Sequence, residues 1–236
     1  MRPVIGIPLR YQRLKDERPI CYLSEKLRRT IQAAGGIVYP ICPLQDVDII
    51  NTRGNEFPEL SDEEKEIIDL ELNQCDGILF PGGIKFTPYD RYLLEVAVEK
   101  KLPILGICLG MQMMSCFKKD LIDLEDVNTD VSHKQESDDE LSHFVKIDKN
   151  SKLFNIIGND NIMVNSFHTK QVTPNKYYEI IAYSEDGIIE AIQNKNNTFN
   201  LGVQWHPEKN YLTDVNSKKI MDALIEYSKN KIKINN

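Results

Sequence analysis

The stretch PILGICLGMQMM, residues 103–114, decides how the rest of the chain reads. It opens with an apolar run and then sets Cys108 between Gly106 and Gly110 in G-x-C-x-G spacing. A cysteine that only packs as a small hydrophobe needs no such neighbours. A strand that turns sharply into a helix does, because glycines two before and two after the turn let strand and helix approach closely. This is the nucleophile elbow, usually written with serine and here carrying a thiol. At a helix N-terminus the macrodipole and free N–H groups favour a thiolate. The N–H of Leu109 points to where an oxyanion would develop. The competing reading, a buried cysteine between two packing glycines, stays open at this point.

Upstream of the elbow, PVIGIPL (3–9), IVYPI (37–41) and DGILF (76–80) read as short buried strands. Helices separate them. Leu23, Leu27, Ile31 and Ala34 share one helical face, and Gly35-Gly36 stops it. Ser61 and Glu64 have the spacing of a capping box. YDRYLLEVAVEKK (89–101) reads as the helix before the elbow strand. Residues 43–60 read as a long exposed loop. Alternating strands and helices, with continuously apolar strands, predict a parallel sheet covered on both faces.

Downstream the pattern changes. HFVKI, IMVNSF, YEIIAYS, IIEAIQ and FNLGVQW read as strands with few helices between them, hence as antiparallel additions at a sheet edge. The acidic stretch over 118–140 reads as a mobile loop, and an amphipathic helix over about 215–228 packs back on the sheet. The expectation is an α/β fold: one domain over residues 1–236, with a mostly parallel central sheet, helices on both faces and antiparallel edge strands.

A nucleophile needs a base, and the chain has four histidines. His206 ends an apolar strand in GVQWHPE, and Glu208 lies two residues on. In extended backbone both side chains project to one side. Glu208 can then accept a hydrogen bond from the Nδ1–H of His206 and leave Nε2 facing the thiol. FPGG, Phe80 to Gly83, follows DGILF and emerges at the same carboxyl edge as Cys108, where such sheets bind ligands. Glycine there lets backbone N–H groups approach a substrate oxygen.

FPGG, GICLGMQMM and VQWHPE, in this order, resemble a class I glutamine amidotransferase domain, which implies its flavodoxin-like layers. GIPLR, AAGGIVYPI, HFVKI with SKLF after it, VNSFH and DGIIEAI resemble its gamma-glutamyl-gamma-aminobutyrate hydrolase-like branch, the free-standing gamma-glutamyl hydrolases. The resemblance implies Cys108 as nucleophile, His206 as base and acid, and Glu208 as the residue orienting it. It gives the oxyanion-hole N–H groups to Gly83 and Leu109, and the substrate pocket to Gly82, Gln112, Asn165, Ser166 and His168. Three stretches depart from the family: CFKKDLIDL stands where relatives carry a glycine-rich turn, NSFHTKQ replaces NSxHHQ, and Arg91-Tyr92 replaces an Arg-Asp pair. All lie near the pocket rather than in the triad, so they bear on the leaving group. Lys170 in NSFHTKQ could meet a carboxylate or phosphate there, against the plainer reading of a solvated lysine.

Composition narrows the classes. A net charge of −7 without a basic block argues against nucleic acid. No run approaches the length of a membrane span, and the start lacks a signal-peptide pattern. Five irregularly spaced cysteines fit a reducing cytoplasm and argue against a disulfide framework or a structural zinc site. No metal or cofactor is called for. The expected activity is cleavage of a small gamma-glutamyl amide through a thioester, releasing glutamate. The alternative is a glutaminase subunit that passes ammonia to a separate synthetase; a homodimer stays open in either case. An α/β-hydrolase is disfavoured, because there the acid precedes the histidine by many residues. A non-catalytic binding protein on this fold is disfavoured by the intact Cys, His and Glu.

Overall fold

The computed structural model describes residues 1–45, 47–52, 56–118, 124–137, 140–195 and 198–235. Strand β1 (Val4–Pro8) leads through a hairpin, β2 (Arg10–Arg13) and β3 (Pro19–Tyr22), into helix α1 (Glu25–Ala33) and strand β4 (Ile37–Ile41). Helix α2 (Asp62–Asn73), strand β5 (Gly77–Phe80), helix α3 (Pro88–Glu99), strand β6 (Ile104–Ile107) and helix α4 (Leu109–Ser115) follow. The second half holds β7 (Leu124–Asp126), β8 (His143–Ile147), α5 (Lys152–Ile157), β9 (Asn161–Val164), β10 (Lys170–Val172), β11 (Tyr178–Ser184), β12 (Ile189–Asn194), β13 (Asn200–Val203) and α6 (Val215–Asn235).

Nine strands form one sheet in the order β4-β1-β5-β6-β13-β12-β11-β8-β9. The first five run parallel, and β12, β11, β8 and β9 extend it antiparallel. Alternation along the buried strands sends side chains to both faces. Leu79 and Leu105 meet α1, α5 and α6 through Leu27, Ile31, Leu153, Ile157, Ile220 and Leu224. Ile78, Phe80 and Ile104 meet α2, α3 and α4 through Ile68, Leu72, Leu93, Met111 and Met114. Helices on both faces are therefore required by the strand composition, as expected for a sheet with no wet side. The capping box at Ser61 and Glu64 is formed, and a second one starts α3, from Thr87 and Asp90.

Three expectations need correction. FNLGVQW is not an antiparallel edge addition: β13 runs parallel to β6 in the middle of the sheet, with Leu201 opposite Leu105 and Val203 opposite Ile107. Apolar content alone cannot tell a central parallel strand from an edge strand, and here sheet order decides. Second, the stretch over 118–140 is more than a loop. Residues 119–123 and 138–139 lie outside the described residues, but β7 pairs antiparallel with β10 and Lys134 bridges Phe167. Third, residues 43–60 are not wholly exposed. Gln45 and Ile49 are buried, and the carbonyls of Ile49, Ile50 and Thr52 accept hydrogen bonds from Nζ of Lys85.

The corrected strand order positions the site. β5, β6 and β13 are adjacent and parallel, so FPGG, Cys108 and WHPE leave the sheet side by side at one carboxyl edge. No helix among the described residues is long and apolar enough to cross a membrane.

Candidate active site

Cys108 lies between β6 and α4 with φ 51° and ψ −104°. Positive φ is unusual for a residue with a Cβ and costs on the order of 1–3 kcal/mol. The two glycines account for how it is held. A Cβ on Gly106 would stand 2.3 Å from Sδ of Met114, and one on Gly110 would stand 2.2 Å from the carbonyl oxygen of Phe80. The elbow helix is thus pressed against β5 and β6, and the amide of Cys108 donates to the carbonyl of Val203 at 2.8 Å. Both neighbours must be glycine for this approach, which favours the elbow over a packing cysteine.

His206 reaches the same point from β13. Its Nδ1 lies 2.7 Å from Oε1 of Glu208, and its ring hydrogen-bonds to Cys108. Burial by itself would push the imidazole toward neutrality. The charges of Glu208 and Cys108 outweigh it, and the His206 pKa is pushed up to about 10. The ring is therefore an imidazolium at neutral pH, beside the sulfur. Its backbone is clamped on both sides: the amide of His206 donates to Oδ1 of Asn165 at 2.8 Å, and Nδ2 of Asn165 donates to the carbonyl of His206 at 2.9 Å. Thr30 on α1 donates from Oγ1 to the carbonyl of Glu208 at 3.1 Å. A Cβ on Gly82 would stand 2.6 Å from Cε1 of the imidazole.

Gly83 meets the elbow, since a Cβ there would approach Cδ2 of Leu109 to 3.1 Å. The FPGG turn is fixed from behind by Arg10, which the sequence marks only within GIPLR. Its Nη2 donates to the carbonyl of Pro81 at 2.9 Å, and its Nη1 pairs with Oδ1 of Asp90 at 2.8 Å, both side chains being buried. Asp90 also caps α3. One buried ion pair thereby couples the turn that carries Gly82 and Gly83 to the start of a helix.

A cavity of about 510 Å³ opens over these groups, lined by Gly83, Cys108, Leu109 and Gln112, by Ile84 to Pro88, and by Phe167 to Lys170. Its charged lining residues, Lys85, Arg91 and Lys170, are all basic. Gln112 contributes its amide, which also reaches the carbonyl of Lys170 and Oε1 of Gln204, each at 3.3 Å. Asn165 and Ser166 do not line the cavity. Asn165 is spent on the His206 backbone, and Ser166 donates from Oγ to the carbonyl of His133 at 2.8 Å. The family resemblance implied pocket contacts for both, but both side chains turn inward. Lys170 pairs with Asp126 at 2.8 Å across β10 and β7.

His168 borders the cavity, but its ring faces away into a buried cluster with His133, His143 and Glu190. Ligand atoms of His133, His143 and Glu190 lie within 4.8 Å of one another, a grouping able to hold a metal ion. Glu190 is fully buried, and ring nitrogens of His143, His133 and His168 lie 3.1, 3.3 and 3.5 Å from its Oε1. The sequence gives no ligand spacing for this cluster because its members come from four separate segments.

Known proteins match along the same stretches. The profile of the peptidase C26 family matches residues 87–208. A glutamine amidotransferase-like protein of Lactococcus lactis is 29% identical over 201 residues, covering 75% of this chain and 84% of that one. A gamma-glutamyl-gamma-aminobutyrate hydrolase of Shigella flexneri is 32% identical, covering 88% of this chain and 86% of that one. Among solved structures, the glutaminase domain of the Trypanosoma brucei CTP synthase superposes with a TM-score of 0.60 at 16% identity, over 98% of this chain and 94% of that one. The structural likeness carries the fold; the sequence matches carry more, and by them the chain belongs to the peptidase C26 family of glutamine amidotransferase-like hydrolases.

Proposed function

We propose that this protein is a cysteine-dependent amidohydrolase that cleaves the gamma-glutamyl amide bond of a small compound and releases glutamate. The observation that carries this reading is the strained Cys108, hydrogen-bonded to a His206 whose far nitrogen lies 2.7 Å from Glu208. The sulfur attacks the side-chain carbonyl carbon, and the N–H groups of Gly83 and Leu109 receive the developing oxyanion. As the C–N bond breaks, the imidazolium gives its Nε2 proton to the leaving amine. Water then yields a proton to neutral His206 and attacks the thioester. The C–S bond breaks, glutamate leaves, and the imidazolium is restored. Glu208 holds the tautomer and the charge throughout without itself taking a proton.

We read residues 1–236 as one hydrolase domain working in the cytoplasm without cofactor. A glutaminase subunit serving a separate synthetase is the second reading, favoured by Ile84, an apolar side chain left 88% exposed at the cavity mouth. One assay separates them. Purified protein, given a panel of gamma-glutamyl amides and glutamine, hydrolyses at least one amide unaided, with kcat/KM above that for glutamine. Cleavage of glutamine alone, and only after a second protein is added, would replace the first reading with the second.

A further inference from the structure

HFVKI, VNSFH and DGIIEAI have no part in the triad, yet each sends one polar side chain to the same buried point. We propose that His143, His168 and Glu190, with His133, form a structural site for a divalent transition metal, zinc by chemistry, that holds one wall of the cavity in place. Nε2 of His143 lies 3.1 Å, Nδ1 of His133 3.3 Å and Nε2 of His168 3.5 Å from Oε1 of Glu190. Nδ1 of His133 and Nε2 of His168 are 3.1 Å apart. A tetrahedral zinc with ligands at about 2.0–2.1 Å separates them by about 3.3–3.4 Å; the four separations above match it to within a few tenths, and the ligand atoms of His133, His143 and Glu190 all lie within 4.8 Å of one another.

Outer hydrogen bonds orient two of these atoms, those of His133 and His168, for a cation. Nε2 of His133 lies 3.0 Å from Oδ2 of Asp186, and Nδ1 of His168 lies 2.9 Å from the carbonyl of Lys170. Carboxylate and carbonyl oxygens only accept, so those nitrogens carry the protons of the neutral rings. The lone pairs are left on Nδ1 of His133 and Nε2 of His168, both facing Glu190. Two lone pairs and a carboxylate oxygen around one point repel unless a cation sits among them. A proton shared between His133 and His168 relieves one edge only. It leaves Oε2 of Glu190, on a side chain 0% exposed, with no hydrogen-bond partner among the described residues. A metal held through Oε1 sets a cation beside Oε2 as well.

The site would act on the pocket by tying segments together. The carbonyl of His133 accepts from the amide of His168 at 2.8 Å and from Oγ of Ser166, fastening residues near 133 to the stretch that begins with Asn165. Asn165 clamps His206, and Phe167 to Lys170 form the cavity wall. The metal is thus a positioning element for the triad loop rather than a participant in bond cleavage.

The test reads metal binding, so it stands apart from the proposed activity. Protein carrying Cys108→Ser, which removes the active-site thiol as a rival ligand, is stripped with a chelator and titrated with Zn²⁺ and Co²⁺. The expected result is one ion per chain and a visible Co²⁺ spectrum of tetrahedral type without a thiolate band. Asp186→Asn, which leaves the ligands in place, should weaken affinity about 10–100-fold. Glu190→Gln should abolish binding and the thermal stabilisation by Zn²⁺. Absence of Zn²⁺ and Co²⁺ binding to the Cys108→Ser protein overturns the proposal, whether or not Glu190→Gln folds. So does binding unchanged by both cluster substitutions. Imidazole ¹⁵N shifts indifferent to added Zn²⁺ would identify a network held by protons alone, and would overturn it equally.

Discussion

Replacing Gly82 with alanine probes how closely the imidazole is held. The added Cβ would stand 2.6 Å from Cε1 of His206, about 0.8 Å inside the 3.4 Å at which ordinary contact begins. Asn165 fixes the His206 backbone from both sides and Glu208 holds Nδ1, so the ring can yield only by tilting out of the position it holds. Arg10 holds the carbonyl of Pro81, so the turn itself has little room to retreat. A displacement near 1 Å at a reacting group costs on the order of 10²-fold in rate, which corresponds to about 2.7 kcal/mol of barrier. Gly82→Ala should therefore lower kcat/KM for the best gamma-glutamyl amide about a hundredfold. It should also slow alkylation of Cys108, which needs no knowledge of the substrate. A variant within threefold of wild type in both assays would show that the ring is not confined as described.

Three further outcomes follow from the same geometry. His206→Asn should reduce turnover by several orders of magnitude and Glu208→Gln by less, because only His206 transfers the proton; the reverse ranking on one substrate would invert the assigned roles. Because the His206 pKa is raised from an ordinary 6.5 to about 10, the imidazolium and the stability it brings are complete below 6.5 and lost only as pH rises through about 10. The alkaline limb of kcat/KM should fall there, and a histidine titrating near 6.5 in the free enzyme, followed by NMR, would contradict the ion pair. Arg10→Met leaves the buried carboxylate of Asp90 unpaired and should cost about 3–5 kcal/mol of unfolding free energy; a loss below about 1 kcal/mol in chemical denaturation would remove Arg10 from its role behind the FPGG turn.

Local patterns revealed most of the elements because each rests on short-range physics. The Ser61 capping box, the stop at Gly35-Gly36 and the apolar run before Cys108 are all decided within a few residues. The grouping of Cys108, His206 and Glu208 was legible for the same reason: the elbow and the two-residue spacing of His206 and Glu208 are local signatures. What was not legible depends on contacts far apart in the chain. The placement of β13 between β6 and β12 is a matter of sheet order, which its apolar composition does not encode. Arg10 and Asp90 lie eighty residues apart, so their ion pair has no spacing to recognise. Asn165 and Ser166 sit in a motif that suggested pocket contacts, but which way a strand-end side chain turns is set by neighbours such as His133 and Asn210. The buried histidine cluster was hidden most fully, since its four members come from four segments.

The central claim is a covalent gamma-glutamyl intermediate on Cys108. Acid quenching of the protein within its first turnovers on a gamma-glutamyl amide, followed by intact-mass and peptide analysis, tests it most directly. The predicted result is a gamma-glutamyl adduct confined to the peptide containing Cys108 and absent from Cys108→Ser protein. Glutamate release with no adduct under any quench time, undiminished in Cys108→Ser protein, would contradict it.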